Sequence, residues 1–141
     1  MKRNVYAEIN HHITWHTKLN HPTIMGRIEE RLHAYLRHKI VSTPGAVCHA
    51  IGSVQDHIHL AVSVGPTLLL SDWIGRLKGG SSRYINAEVA RERVLEWQEG
   101  YGVVSFGSRD LEWVVRYVRD QKQRHARGNI IERLERIYVE S

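Results

Sequence analysis

The sequence is poor in cysteine, phenylalanine and proline, and it has no long apolar run. Its 141 residues include one Cys, one Phe and three Pro. Because Cys48 is alone, an internal disulfide and a zinc site made of several cysteines are both excluded. No apolar run approaches the roughly 18 residues that a membrane-spanning helix needs, and residues 1–8 lack the apolar stretch of a secretory signal. These absences predict a soluble cytoplasmic protein with no membrane partner.

The residues that are present favour one folded domain with a basic surface. Hydrophobic residues make up 42% of the chain and charged residues 25%, which is enough apolar mass for a single core within residues 1–141. Twenty Lys and Arg against fifteen Asp and Glu give a net charge of +5, and the pI is near 9.6. This balance favours a polyanionic partner such as nucleic acid. A basic protein without such a partner fits the composition equally well.

Hydrophobic periodicity predicts an alternation of strands and helices. A period of two indicates half-buried strands, and recurrence at three and four residues indicates amphipathic helices. Thr23 is the predicted N-cap of the first helix, and Gly79-Gly80 is expected to kink or split the second. The order of elements predicts an α+β fold in which helices cover an antiparallel sheet. The predicted strands are 5–16, 46–54, 57–64 and 102–106, and the predicted helices are 24–39, 72–90, 109–127 and 130–138.

A pair of histidines on the third predicted strand is the most informative feature. His57 and His59 are two residues apart, so their side chains point to the same face of the strand about 7 Å apart. Two imidazoles at that spacing can bind one divalent ion, and imidazole suits Mn and Zn and can join oxygen ligands around Mg. A solvated strand face with two incidental histidines is the alternative, and a metal site also needs a third ligand from elsewhere.

The helix predicted over residues 109–127 carries a tyrosine at the edge of its apolar stripe. Tyr117 and Gln121 are four residues apart and therefore lie on the same face of the helix. A phenol in this position could attack a group bound at the sheet, and the amide oxygen of Gln121 could complete a metal site. The alternative is a boundary tyrosine that packs its ring on the core and leaves its hydroxyl in water.

Together these segments resemble the HUH-type single-tyrosine transposases, which act on single-stranded DNA and include the REP-associated tyrosine transposases. The resemblance covers most of residues 5–127 in the order of the family. Two departures are Gln55, where many relatives have proline, and Asp120, where asparagine is usual. The matching segments are the histidine strand Val54–Val62, the central helix Leu77–Tyr84, the segment Trp97–Gly102 followed by Ser105, and the nucleophile helix Val115–Gln121 with His125.

The resemblance implies a fold, an assembly and a reaction. The fold is an antiparallel sheet sandwiched by helices in a ferredoxin-like arrangement. The assembly is a homodimer in which the tyrosine of one subunit commonly completes the active site of its partner. The reaction begins with Tyr117 attacking a phosphodiester, which leaves a 5′-phosphotyrosine and a free 3′-hydroxyl and conserves the bond energy for strand transfer. Mg²⁺ or Mn²⁺ held by His57, His59 and Gln121 would polarise the scissile phosphate, and DNA hairpins would guide the choice of site.

Two groups of residues are the candidate DNA contacts. One lies on the central helix, where charge, hydroxyls and glycines suit a phosphate backbone, and the other lies along the tyrosine helix, where an ordinary solvated face is the alternative. They are Lys78, Ser81, Ser82, Arg83, Arg116, Arg119 and Lys122.

Two other functions are compatible with parts of the sequence. A two-histidine phosphoesterase would use paired H-x-T/S motifs, of which His12-Ile13-Thr14 supplies one, but His57-Ile58-His59 lacks the second Ser or Thr. A domesticated relative that binds hairpin DNA or RNA without cutting it would have no need of the complete set of candidate catalytic residues. Formation of a covalent adduct with a single-stranded hairpin in Mg²⁺ or Mn²⁺ distinguishes these functions.

Overall fold

A computed structural model of the chain describes residues 4–138. It contains four strands and four helices, with short 3-10 turns at Lys18–Asn20, Ser108–Asp110 and Glu132–Leu134. None of the described helices combines the length and apolar character needed to cross a bilayer. The strands are β1 Asn10–His16, β2 Val47–Val54, β3 His57–Ser63 and β4 Gly102–Phe106, and the helices are α1 Gly26–Val41, α2 Leu70–Tyr84, α3 Leu111–Arg119 and α4 Gln121–Ala126.

The four strands form one antiparallel sheet in the order β2-β3-β1-β4. With α1 between β1 and β2 and α2 between β3 and β4, this order is the ferredoxin-like arrangement, so the predicted fold class is confirmed. The central pair β1 and β3 is in register from Asn10 opposite Ser63 to His16 opposite His57. Residues on these two strands therefore sit side by side on each face of the sheet.

One face of the sheet holds the main apolar core. Alternate residues of β1 and β3, among them Ile13, Trp15 and Leu60, are fully buried there against α1 and α2. The helices contribute apolar stripes at helical spacing, including Leu32 and Leu36 from α1. Burial of this kind stabilises a fold by about 25 cal/mol per Å² of apolar surface, so this face accounts for most of the hydrophobic stabilisation.

The other face of the sheet is covered by α3, α4 and the C-terminal segment, which we define as residues 130–138. Val114 and Val118 of α3 pack on small alanines of β2 and β3. Gly52 makes the close approach possible, because a Cβ there would lie 1.7 Å from the carbonyl oxygen of Val118. Gly102 does the same for the C-terminal segment, since its Cβ would lie 1.8 Å from the carbonyl oxygen of Arg136.

Three predictions about where elements begin or break are wrong in the first two thirds of the chain. The first strand starts at Asn10 and not at residue 5, because Asn10 is the first residue with partners on both β3 and β4. Thr23 does not cap α1, whose N-cap is Met25. The second helix runs unbroken through Gly79-Gly80 to Tyr84 and continues as a π-helical turn, Ile85–Val89. Its buried apolar stripe outweighs the cost of about 1 kcal/mol that each glycine imposes.

Two further predictions are wrong in the C-terminal third of the chain. The helix predicted over 109–127 is two helices, which are separated at Asp120, where φ is −95° and ψ is 23°. The helix predicted over 130–138 is a single 3-10 turn, Glu132–Leu134, within an irregular segment. Leu134 is buried and anchors this turn against the sheet. Packing of the segment against β4 and β1 therefore replaces the amphipathic helix that its charge pattern suggested.

Candidate metal and nucleophile site

The face of the sheet under α3 and α4 is lined by polar side chains of β1 and β3. His12 and Thr14 point to this face from β1, and His57 and His59 point to it from β3. All four are at least 96% buried. A buried polar group is costly unless it has a hydrogen-bond partner or binds an ion, so the partners of these four residues indicate what the site can do.

His57 is held by a carboxylate on one side and faces the site on the other. Its Nδ1 lies 2.7 Å from the Oδ1 of Asp56, so the ring can donate Nδ1–H to Asp56 and present an Nε2 lone pair. Burial acts to lower the pKa of His57, but hydrogen bonds to Glu135 and Asp56 outweigh it and raise the pKa. A carboxylate behind a histidine is the usual support of a metal-binding imidazole.

His59 is held by a second histidine instead of a carboxylate. Its Nδ1 lies 2.8 Å from the Nε2 of His12, and both rings are inaccessible to solvent. Burial lowers the pKa of His59 to about 4 and that of His12 to about 3, so both rings are neutral at pH 7. The Nε2 of His59 is buried and has no hydrogen-bond partner among the described residues.

Helix α4 contributes an amide and a third imidazole to the same place. The Oε1 of Gln121 lies 3.0 Å from the Nε2 of His125, and the Nε2 of Gln121 donates to the carbonyl oxygen of Tyr117 over 2.9 Å. The Nε2 of His125 lies 3.3 Å from the Nε2 of His57. The amide of Gln121 is therefore fixed at both ends, with its oxygen on the side of the histidines.

The phenol of Tyr117 lies beside these rings and is fully buried. Its ring centroid is 5.9 Å from that of His59, and the guanidinium of Arg124 lies 5.1 Å from its centroid on the ring face. The hydroxyl donates to a carboxylate oxygen of Glu135 and accepts the backbone N–H of Ile131 over 3.1 Å. Burial, followed by the hydrogen bond to Glu135, raises the pKa of Tyr117 to about 12.

Glu135 places a negative charge at the centre of the site. Its Oε1 lies 3.1 Å from the Nε2 of His57, 3.4 Å from that of His59 and 3.3 Å from that of His125. Burial acts to raise the pKa of this carboxyl group, but contacts with His57 and His59 hold it well below its usual range. The three imidazole nitrogens and Oε1 form a group of four potential metal ligands within 4.8 Å of one another.

The structure brings together the four residues that the sequence singled out for chemistry, namely His57, His59, Tyr117 and Gln121. Three partners of this set were missed: His12 as the support of His59, His125 as a third imidazole beside His57, although the resemblance had included it in the nucleophile helix, and Glu135. The alternating pattern of β1 could have identified His12. No sequence signal distinguished Glu135 from the other charged residues of a segment whose helical prediction was wrong.

Known proteins resemble this chain in sequence and in fold. The family model of the IS200-like transposases matches residues 5–121. The chain belongs to this transposase family. The match includes the histidine strand and the helix of Tyr117 and ends at Gln121, so His125 and Glu135 lie beyond it. The family that the sequence resembles is thus confirmed.

Individual relatives of this IS200-like transposase are distant in sequence and close in fold. The ISDra2 transposase TnpA of Deinococcus radiodurans is 23% identical over 124 residues, which cover 84% of this chain and 88% of the relative. A crystal structure of a candidate transposase from D. radiodurans has a TM-score of 0.68 at 20% identity and covers 92% of this chain and 96% of its own. The structure of a REP-associated tyrosine transposase bound to a REP hairpin has a TM-score of 0.62 at 12% identity. The match covers 92% of this chain and 75% of that chain.

The candidate DNA contacts of this transposase fall into two groups by exposure. Lys78 donates to the carbonyl oxygens of Gln98 and Gly100, each over 2.8 Å. Ser81 is fully buried between the carbonyl oxygen of Lys78 and the indole N–H of Trp97. These two side chains join α2 to the segment before β4 and are not free to meet a ligand in this conformation.

The remaining candidates are accessible to different degrees. Ser82 is half-buried and donates to the carbonyl oxygen of Gly79 over 3.2 Å. Arg83, Arg116 and Arg119 are all exposed, and Arg116 also pairs with Glu112 over 3.1 Å. Lys122 forms an ion pair with Glu29 of α1 and donates to the carbonyl oxygen of Ser53 over 3.3 Å. The exposed arginines therefore offer the accessible positive charge.

Proposed function

We propose that this IS200-like transposase cleaves and transfers single-stranded DNA by a metal-dependent tyrosine mechanism. Tyr117 is the nucleophile, and His57, His59 and Gln121 hold a divalent cation, Mg²⁺ or Mn²⁺. The observation that carries the proposal is the convergence of the phenol and the imidazoles on one carboxylate, because Glu135 contacts Tyr117 with one oxygen and the histidines with the other. A single phosphate group could make the same two sets of contacts.

The residues at the site fit a divalent cation. The buried Nε2 of His59 has no hydrogen-bond partner among the described residues and points into the site. Nitrogen and oxygen donors of this kind suit Mn²⁺ and can join waters around Mg²⁺. When bound, the cation would polarise the scissile phosphate and stabilise charge on the departing oxygen.

The chemical step balances without any further reactant. The Oη of Tyr117 forms a bond to phosphorus, and the bond between phosphorus and the 3′-oxygen breaks. The proton that leaves the phenol ends on the departing 3′-oxygen, so the products are a 5′-phosphotyrosine and a free 3′-hydroxyl. Attack of another 3′-hydroxyl on the phosphotyrosine reverses the chemistry and joins the strands. Because an unperturbed phenol has a pKa of about 10, the hydroxyl is protonated at neutral pH and must lose its proton as the attack proceeds.

A DNA strand reaches Tyr117 only after the C-terminal segment moves. The phenol has no exposed surface, and both hydrogen-bond partners of its hydroxyl, Ile131 and Glu135, belong to that segment. The helix of Tyr117 and the sheet need not change for the segment to leave. We therefore propose that the described arrangement is the DNA-free form.

The proposed substrate is single-stranded DNA that contains a hairpin. The net charge of +5 and the exposed Arg83, Arg116 and Arg119 support binding of a phosphate backbone, with Lys122, Ser82, Lys78 and Ser81 as weaker candidates because each is engaged within the chain. The REP-associated neighbour was solved with a REP hairpin, which supports a hairpin substrate here.

We also propose that the protein is a homodimer. The phenol lies beside the histidines of its own chain, which supports a site made within one subunit in the DNA-free form, whereas exchange of the tyrosine between subunits is a further prediction. A mixture of the Tyr117→Phe and His59→Ala proteins decides between them. Recovery of cleavage in the mixture means that one subunit's tyrosine acts at its partner's histidines, and no recovery means that each site is complete in one chain.

A nucleic-acid-binding protein that does not cut is the second candidate function. The burial of Tyr117 favours it, because a buried phenol cannot attack DNA. A two-histidine phosphoesterase is disfavoured, because His12 is buried against His59 and the hydroxyl of Thr14 donates to the carbonyl oxygen of Ile58 over 2.8 Å. Neither group of the H-x-T motif can reach a substrate.

The deciding experiment is a search for a covalent protein–DNA adduct. Labelled single-stranded hairpins are incubated with the protein and Mn²⁺ or Mg²⁺, and the adduct is resolved on a denaturing gel. We expect an adduct from the unaltered protein and none from Tyr117→Phe, which keeps its affinity for the hairpin. Hairpin binding without any adduct from the unaltered protein would support the non-cleaving function. An adduct from Tyr117→Phe would remove Tyr117 from the role of nucleophile.

A further inference from the structure

The carboxylate of Glu135 lies close to the Nε2 of His59, and a hydrogen bond does not account for this contact. Its Oε1 is 3.4 Å from the Nε2 of His59, yet that nitrogen makes no hydrogen bond with any described residue. The Nδ1 of the same ring is 2.8 Å from the Nε2 of His12. When His59 carries its proton on this Nδ1, its Nε2 lone pair faces the carboxylate oxygen, and two such electron-rich atoms in a buried place repel unless a positive charge lies between them.

The distances around Oε1 are those between ligands of one ion. Bonds of about 2.1 Å from a divalent cation to N and O ligands place neighbouring ligands about 3.0 Å apart in an octahedron and about 3.4 Å apart in a tetrahedron. Oε1 lies 3.1, 3.4 and 3.3 Å from the Nε2 atoms of His57, His59 and His125. The Nε2 atoms of His57 and His125 are 3.3 Å apart.

We propose that Glu135, with His125, completes the cation site of the DNA-free protein, so that three imidazoles and a carboxylate bind the ion beside the amide oxygen of Gln121. This inference rests on the proposed function for the existence of the cation and adds ligands from beyond the stretch that the family model matches. A donor set with three imidazoles favours Mn²⁺ or another transition ion over Mg²⁺.

The position of Glu135 also indicates in which state of the protein it binds the ion. Its second oxygen accepts the hydroxyl of Tyr117, so the carboxylate occupies the position between the nucleophile and the imidazoles. A phosphate of a DNA strand needs that position for the attack. Glu135 is therefore a ligand of the DNA-free site, and the anionic oxygen of the DNA takes its place when the C-terminal segment moves.

The test is Mn²⁺ binding to the full chain without DNA, measured by calorimetry and by the Mn²⁺ electron paramagnetic resonance signal. We expect Glu135→Ala to weaken binding at least about tenfold, because loss of even an outer partner of a metal ligand costs about 10–100-fold. Glu132→Ala is the matched control, since Glu132 is exposed in the 3-10 turn directly before Glu135 and pairs with Arg136. Its Mn²⁺ affinity should not change.

Further measurements separate a ligand from a structural residue. Thermal unfolding of the metal-free variants shows whether Glu135→Ala is folded, and if it is not, Glu135→Gln is measured in its place. Added acetate should restore part of the lost affinity if a carboxylate is what the ion lacks. Equal or tighter Mn²⁺ binding by the folded variant would overturn the proposal, and so would absence of Mn²⁺ binding by the unaltered protein. None of these results depends on whether the Tyr117 adduct forms, so the two proposals can fail separately.

Discussion

The two faces of the sheet use the same strands for opposite purposes. Ile58 and Leu60 point to the face under α1 and α2, where they are surrounded by apolar side chains, whereas His57 and His59 point to the face under α3 and α4, where they meet other titratable groups. Both sets are buried. Burial on the first face stabilises the fold. Burial on the second face destabilises it, because polar groups are removed from water and only some of them form hydrogen bonds. The stability gained on the apolar face offsets the destabilisation on the face under α3 and α4, which we call the chemical face.

The largest effect is expected at His59, on the chemical face. His59→Ala removes a predicted metal ligand, and we expect metal-dependent adduct formation to fall at least about 100-fold while the fold is kept. Adduct yield is measured against Mn²⁺ concentration on a denaturing gel. A titration curve like that of the unaltered protein would show that the ring does not bind the ion.

The next effect is expected at Leu60, which follows His59 in sequence and points the other way. Leu60 is fully buried in the apolar core, so Leu60→Ala should cost about 2–5 kcal/mol of unfolding free energy. Urea denaturation measures the loss, and below the unfolding transition the folded fraction should still form the adduct. Loss of the adduct in fully folded Leu60→Ala protein would mean that the two faces are not independent.

Gly52 tests the contact that brings α3 onto the sheet. A Cβ at this position would lie 1.7 Å from the carbonyl oxygen of Val118, so Gly52→Ala should displace α3 and destabilise the protein by about 1–3 kcal/mol. Gly75→Ala is the control, because nothing lies within 4 Å of its Cβ and it is in an exposed part of α2. Alanine there should be neutral or stabilising. Equal unfolding free energies for the two variants would contradict the close contact.

His12 tests whether the support behind His59 matters to the ion. His12→Leu keeps a buried apolar volume but removes the hydrogen-bond partner of the His59 Nδ1, and we expect Mn²⁺ affinity to fall about tenfold. His12→Gln supplies an amide oxygen and should recover most of the affinity. The comparison requires both variants to unfold at similar temperatures. Similar Mn²⁺ affinities for the two would leave His12 with a packing role only.

The smallest effect is expected at Lys122, on the rim of the chemical face. Its side chain is 66% exposed and pairs with Glu29, and ion pairs of this kind contribute about 0–1 kcal/mol. Lys122→Ala should therefore change the unfolding free energy by no more than that, as measured in urea. A larger loss would mean that this pair fixes α4 to α1.

The local pattern was sufficient to predict most of the sheet and four of the seven side chains that meet at the candidate site. Alternation in β3 placed His57 and His59 on one face, and helical spacing placed Tyr117 and Gln121 on another element. The fold class follows from the order of these elements. Each of these inferences depends on residues close together in sequence, whose geometry is fixed by the period of the backbone.

The parts that were not predicted depend on contacts between distant residues. Asp120 ends α3 although it lies in a sequence with helical spacing. Glu135 reaches the histidines because the C-terminal segment packs across Gly102 instead of forming the predicted helix. His12 supports His59 only because β1 and β3 are paired in that register. Tertiary packing outweighs local propensity at all three places.

The break at Asp120 separates the proposed nucleophile, Tyr117, from the proposed ligand Gln121 although they are four residues apart. Tyr117 lies in the last turn of α3, Gln121 starts α4, and the side-chain hydrogen bond from Gln121 to the carbonyl oxygen of Tyr117 spans the joint. A torsion change at Asp120 that moved α3 relative to α4 would have to break this hydrogen bond, so the phenol and the amide oxygen are tied to each other across the joint.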